Sequence, residues 1–331
     1  MPLHDASYKH WDGQHLGIWH RRAVIAANGL KSCLQNKWMR HLIVLCWGAA
    51  LIMVAFLFTI GQLLVKDSII VQWVANFNPQ LQAFAQSLIG WLEDHPQISV
   101  RTAQNVLFYF FSTNLVTFSF VAIAIALPFL ITRDLSSNAI IIYSSKAVGR
   151  FDYLLGKFAT VFGLLTLTWL GPLCVAWFLG NFLAPNWNFF WHSLAPLGHV
   201  LIYVVSSMVI LSLLALGISS ISSREKTAVS LWIVWWVVGN ILVANAHSTK
   251  PWLRYFSLSF NLDQISMSVF RLGDDIRAAQ NSIPILGELL RGIPPEKYRE
   301  WDNPAIIGAL FGLIVMLAMA MFIIARKVKP E

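Results

Sequence analysis

The chain has 331 residues, of which 57% are hydrophobic and only 12% charged, with a mean hydropathy of +0.61. A soluble domain carries about a quarter charged residues, so composition excludes that class and predicts an all-α polytopic membrane protein. The net charge of +8 does not point to nucleic acid, because the basic residues flank apolar runs, where they orient spans against a membrane surface.

Residues 1–16 form a polar tail with three histidines lacking paired spacing, which reads as a solvated segment. From Ile18 to Trp38, Ala23, Ala27, Leu30, Leu34 and Trp38 recur at helical spacing, while Arg21, Asn28, Lys31 and Gln35 fall on another face. A basic amphipathic helix leading into a span is expected to lie in the membrane interface, so 1–41 is assigned as tail and interfacial helix.

Six apolar runs come next in the chain, each near the ~20 residues a bilayer crossing needs. They are about 42–65, 104–132, 158–182, 196–220, 227–246 and 304–325, which makes 42–325 the transmembrane domain and 326–331 a basic tail. Pro128 predicts a bend near the end of the second run and Gly171-Pro172 a kink in the third. Leu81, Phe84, Leu88 and Leu92 share a face and predict a surface helix between the first two spans. The uncharged stretch 184–195 reads as a loop, and 248–303 as an outer segment with amphipathic pieces. Several Trp (Trp38, Trp73, Trp187, Trp191, Trp252, Trp301) sit at run ends, the level an amphipathic ring prefers.

Lys and Arg set the expected orientation. The tails and the connections 133–157 and 222–226 hold fifteen Lys/Arg against six Asp/Glu; the other connections hold nine against ten. Both termini are therefore expected in the cytoplasm.

No Asp, Glu, Lys or Arg falls inside the six runs. Ion-coupled carriers usually keep an intramembrane ionisable group, so energy for transport would have to come from elsewhere. The chain has no phosphate-cradling loop: Gly149 to Gly156-Lys157 has the wrong spacing and continues with Phe158. Paired intramembrane acids, H-E-x-x-H and G-x-S-x-G are also missing, so no catalytic residues are assigned, and Cys33, Cys46 and Cys174 are too dispersed for a metal cluster. His199, with Tyr203 one turn on, reads as a hydrogen-bonded structural residue rather than a site, and the adjacent Asp274-Asp275 as a solvated turn. Gly308 and Gly312 form a small-residue face suited to close helix packing.

The order of these features resembles the permease subunit of a type-2 ATP-binding-cassette (ABC) exporter. The most family-like residues are Arg133-Asp134, then Gly149-Arg150-Phe151-Asp152-Tyr153-Leu154-Leu155-Gly156-Lys157 at the approach to span 3, and Ser257 to Gly273 in the outer segment. The usual Pro after the Ser of that outer segment is missing. The resemblance implies a six-span subunit of the bacterial inner membrane that pairs with a second copy or a paralogue. It also implies a separate ABC ATPase subunit, with ATP and Mg²⁺ in that partner and no cofactor or metal in this chain. By the same resemblance Arg133, Asp134, Ser137, Asn138, Tyr143, Lys146 and Arg150 would contact the ATPase, with Arg224 and Glu225 as a second contact. Asn114 and Asn240 would line the substrate path. The contrasting expectation, from the missing fuel alone, is an energy-independent channel or scaffold subunit.

Overall fold

The computed structural model describes residues 17–63, 96–137, 149–184, 187–245, 250–275, 277 and 303–328. Among them every regular element is helical: α1 (Ile18–Gln35), α2 (Lys37–Leu63), α3 (Pro96–Ala126), α4 (Ile131–Ser136), α5 (Arg150–Leu165), α6 (Gly171–Phe182), α7 (Trp187–Ser219), α8 (Glu225–Asn245), α9 (Leu258–Phe270) and α10 (Ile306–Lys327). Six stretches are long and apolar enough to cross a membrane: Lys37–Gln62, Ser99–Ser136, Arg150–Phe182, Phe189–Ser219, Glu225–Ala244 and Ile306–Lys327. The protein is thus an all-α, multi-pass membrane protein. The expected helix at 81–92 lies outside the described residues.

The bundle is built round α7, which packs against α3, α5, α9 and α10. At Pro128 and Pro172 the apolar runs depart from regular α-helix. Pro128 closes α3 in a 3-10 turn, Leu127–Phe129, and the chain turns at Leu130 into α4. Ahead of Gly171-Pro172 the third span widens into a π turn, Thr166–Leu170. Proline lacks the N–H of a normal turn and its ring crowds the carbonyl four residues back, and a wider turn relieves both. The Leu167 carbonyl in that turn accepts from Trp47 Nε1 at 3.1 Å, so α2 satisfies a backbone group in the widened turn.

One expected boundary is corrected. The stretch 184–195 is not a loop, since α7 already starts at Trp187 and carries Pro196 inside it. Ser193 explains why this end is ordered: it accepts from Trp177 Nε1 at 3.1 Å and donates to Asn181 Oδ1 at 2.9 Å, tying α7 to α6. On α1, the face that packs on α5 is distinct from most of the apolar stripe, of which Leu30 and Leu34 pack against the core. Ala23, Ala27 and Trp38 are exposed, and α1 meets α5 through Arg22, Ile25, Ala26 and Gly29. Small residues decide that face: a Cβ on Gly29 would collide with Thr160, and one on Gly156 would lie 2.7 Å from Ile25.

The described part of the segment 248–303, residues 250–275, is helical, as expected, but it dips into the bundle. A 3-10 stretch, Pro251–Phe256, leads to Ser257, whose hydroxyl caps α9 by accepting from the Phe260 N–H at 3.3 Å. Ser257 packs on Gly239 and the Tyr255 carbonyl on Gly312. Each glycine lies six residues inside its helix end, about 9 Å at 1.5 Å per residue. The small-residue face of α10 therefore receives Tyr255, which also lies against Gly308, rather than another span.

Spans four and six meet at Gly217, where an added Cβ would lie 2.6 Å from the Ala320 Cβ and 3.0 Å from its Cα. A backbone cannot give way as a side-chain tip can. Gly217→Val should cost about 1–3 kcal/mol by overpacking, seen as a lower thermal midpoint of the detergent-purified chain; an unchanged midpoint would mean that α7 and α10 can separate freely.

Candidate functional site

The candidate site is the corner at the basic end, where the break after α3 meets the starts of α5 and α8 and the end of α7. A helix break inside an apolar bundle frees backbone groups that must find partners. Here they find them on two neighbouring spans. The Ser219 hydroxyl donates to the Leu127 carbonyl at 3.2 Å and accepts from the N–H groups of Ile131 and Thr132 at 2.9 and 3.1 Å. Thr132 Oγ1 donates back to the Ser219 carbonyl at 2.8 Å.

Lys157, in the second turn of α5, serves the other side of the break. Its ammonium has three N–H donors. They meet the Leu130 carbonyl at 2.8 Å, the Phe129 carbonyl at 3.2 Å and Asp134 Oδ2 at 2.7 Å. Tyr153 donates its hydroxyl to the same Asp134 oxygen at 2.6 Å. The lysine and aspartate side chains are only 9% and 13% exposed, so this is a buried, hydrogen-bonded ion pair.

The residues expected to contact a partner thus divide. Asp134 points inward, at Tyr153 and Lys157. Arg150 donates to the Ile324 and Ala325 carbonyls at 2.9 and 3.0 Å, filling the last turn of α10, where a cation suits the helix dipole. Arg133, Ser137, Arg224 and Glu225 are exposed, and Arg133 Nε lies 3.3 Å from Glu225 Oε1, which joins the end of the second span to the start of the fifth. Asn138, Tyr143 and Lys146 lie outside the described residues. α1 is fastened to the same corner, as Arg22 Nε donates to Asp152 Oδ1 at 2.7 Å.

At the far end a second polar network joins α3, α7 and the turn after α9. His199 Nδ1 lies 3.0 Å from Asn105 Oδ1, and Asn105 Nδ2 donates to Asp275 Oδ2 at 2.6 Å. The expected structural role of His199 matches this bond. Asp275, expected in a solvated turn, is instead buried; Arg271 explains the change, because its left-handed backbone (φ 50°) ends α9 and starts a new turn. Burial raises the Asp275 carboxyl pKa above its ordinary value, opposed by the Asn105 hydrogen bond and Arg101 and aided by Asp274. Among the described residues no group of three or more His, Cys, Asp or Glu could hold a metal ion.

Asn114 and Asn240 are both exposed on their spans. Asn114 folds back to its own helix, donating to the Phe110 carbonyl at 2.7 Å, whereas Asn240 lines a cavity between α3, α8 and α9. The Ser219 knot carries no motif; Asp134 and Lys157 both stand in the stretches that resemble the permease family, but nothing in the sequence pairs them with each other. No protein-family model matches the chain, and a search of curated proteins finds no match.

These networks set two expected outcomes. Lys157→Met strands a buried carboxylate and should cost about 3–5 kcal/mol, with much of the loss recovered when Asp134→Asn is added; thermal midpoints of the two variants decide this, and absence of recovery would show that the carbonyl contacts of Lys157 dominate. For Asp275 the folded state binds the proton more tightly than the unfolded one, so its burial costs stability above the folded pKa and that cost fades as pH falls through it. Asp275→Asn should therefore lower or abolish this rise in midpoint on acidification, measured from pH 8 down to about 5.

Proposed function

We propose that this chain is the permease subunit of an ABC exporter, moving a substrate across the bacterial inner membrane with energy from a separate ATPase subunit. Both termini would lie in the cytoplasm, and the ATPase, not this chain, would hold ATP and Mg²⁺. The observation that carries the reading is the basic-end corner. On the side richest in Lys and Arg, the end of the second span and the start of the fifth are joined by Arg133 and Glu225, and behind them Ser219, Lys157 and Asp134 lock three spans to one another. A force applied to such a corner moves helices together instead of bending a loop. That is the mechanical requirement for a membrane subunit with no fuel of its own.

The outward-facing amides support pairing with a second copy or a paralogue. Asn240 is exposed on α8, which also exposes Val234, Val237, Val238 and Ile241. In hydrocarbon a polar side chain at a helix surface favours a helix neighbour over lipid. Within this reading Arg133, Ser137, Arg224 and Glu225 form the docking edge, while Asp134 and Arg150 hold its shape.

Affinity purification of the full-length chain from native membranes should bring down a soluble ATPase; a chain that purifies without one would favour the channel or scaffold alternative. In that complex Arg133→Glu should change the thermal midpoint little, since an exposed ion pair is worth about 0–1 kcal/mol. It should nevertheless lower transport-linked ATPase stimulation about tenfold or more, and adding Glu225→Arg should not restore it. Restoration by the swapped pair would mean that the two residues matter only to each other.

A further inference from the structure

Along one side of α10 the spans leave a groove of about 580 Å³, lined by aliphatic and aromatic residues with no charged one among them. Leu231 and Trp235 of α8 form one wall, Val315 and Met319 of α10 the other, and the floor is the contact of Gly217 with Ala320. Tyr255, seated on Gly308 and Gly312, closes the end away from the basic tail. Leu231, Val315 and Met319 are exposed, so the groove is open along its side. Such a lining offers water no partners, and in a membrane the groove fills with something apolar.

Its length suits one hydrocarbon chain. On α10 the lining runs from Phe311 to Ile323, about 18 Å at 1.5 Å per residue. One leaflet of a ~30 Å hydrocarbon core allots an acyl chain about 15 Å. Shape alone would hold such a chain loosely, because lipid tails are as apolar as leucine and a move from bulk lipid gains only the contacts of a closer fit. Selection has to come from charge at the end of the groove.

That charge is present. Arg326 and Lys327 stand one helical turn beyond Ile323, continue the lining stripe of α10 and are exposed. Cations in a last turn are often drawn back to its free carbonyls. Here Arg150 has taken that place, donating to the Ile324 and Ala325 carbonyls. Among the described residues neither Arg326 nor Lys327 forms an ion pair, and the acid of the neighbouring connection, Glu225, is engaged by Arg133. The Arg326 guanidinium lies 4.7 Å from the ring centre of Phe322, beside the groove's end.

We propose that this groove holds one acyl chain of an anionic phospholipid drawn from the bilayer, with Arg326 and Lys327 on its phosphate. The methyl end lies toward Tyr255, the chain runs between Leu231 and Met319, and the headgroup stays at the basic end, where paired cations favour an anionic lipid. The inference stands apart from the permease reading, since it concerns a resident lipid rather than the molecule carried, and binding needs no partner protein.

The full-length chain, purified in a neutral detergent, is titrated with phosphatidylglycerol and with phosphatidylcholine of the same acyl chains, and bound lipid is counted by native mass spectrometry. Wild type should bind one phosphatidylglycerol per chain, about tenfold or more tighter than phosphatidylcholine. Arg326→Gln combined with Lys327→Gln should bring the two lipids to within about twofold. Met319→Trp leaves both cations in place and fills the groove from an exposed position, so it should weaken phosphatidylglycerol about tenfold or more. Ile314→Trp, exposed on the opposite face of α10, should change nothing. Equal affinity of wild type for the two lipids, or undiminished binding to Met319→Trp, overturns the proposal. If Met319→Trp does not fold, a lipid preference unchanged in the double Gln variant overturns it instead. A wild-type dimer that retains no lipid and that Met319→Trp disperses makes a second copy the occupant, which also overturns it. Failure to co-purify an ATPase sinks the permease reading and leaves every one of these results as it stands.

Discussion

The structure depends on how a broken helix is made tolerable inside an apolar bundle. Pro128 ends α3 within the second span, and the freed carbonyls and N–H groups cannot turn to water. Ser219 takes one set and the Lys157 ammonium the other, with Asp134 and Tyr153 holding the ammonium's charge. Neither partner is optional: a buried backbone group without a hydrogen bond costs about 1–3 kcal/mol, and a buried lysine without its carboxylate costs more. The proline bend thus commits three spans to one arrangement at the basic end. The consequence is a stiff corner at a place where the chain is also rich in exposed charge.

Hydrophobic runs made the spans legible in the sequence because lipid tolerates only satisfied backbone, so each run of adequate length must be a helix. The same constraint explains the errors at the edges. Residues 184–195 look like a loop through Pro185, Asn186 and the aromatic cluster, but Ser193 has partners on α6 that only the fold supplies. The face that α1 turns to α5 was not legible either, because it is set by the absence of side chains at Gly29 and Gly156. Close approach is a property of two surfaces and cannot be read from one.

Charge was misjudged for a related reason. The apolar runs themselves contain no ionisable Asp, Glu, Lys or Arg. That count misses Lys157, one residue before the third run, because the span starts earlier, at Arg150. It also misses Asp275, whose surrounding sequence is polar enough to pass for a surface loop. What carries it into the bundle is a pair of glycines on α10 and one on α8 that let the chain descend between spans. The resemblance to an exporter permease located the corner in the chain but not the orientation of its side chains; Asp134 and Arg150 face inward to Lys157 and to the end of α10.

The two polar networks share a helix. Ser219 at the basic end and His199 at the far end both belong to α7, twenty residues apart, which is about 30 Å at 1.5 Å per residue. The stretch between them contains no proline and is buried along much of its length against α3 and α10. A continuous helix of this length transmits an axial displacement along its hydrogen-bonded backbone. Displacing Ser219 along the helix axis would therefore displace His199, and with it Asn105 and the turn that holds Asp275. Arg271 makes that turn the natural place for such a displacement to be absorbed, as its left-handed backbone already separates α9 from the turn at Asp274 and Asp275. If force enters at the corner, α7 is the member that carries it, and the turn at Asp274 and Asp275 is where it arrives.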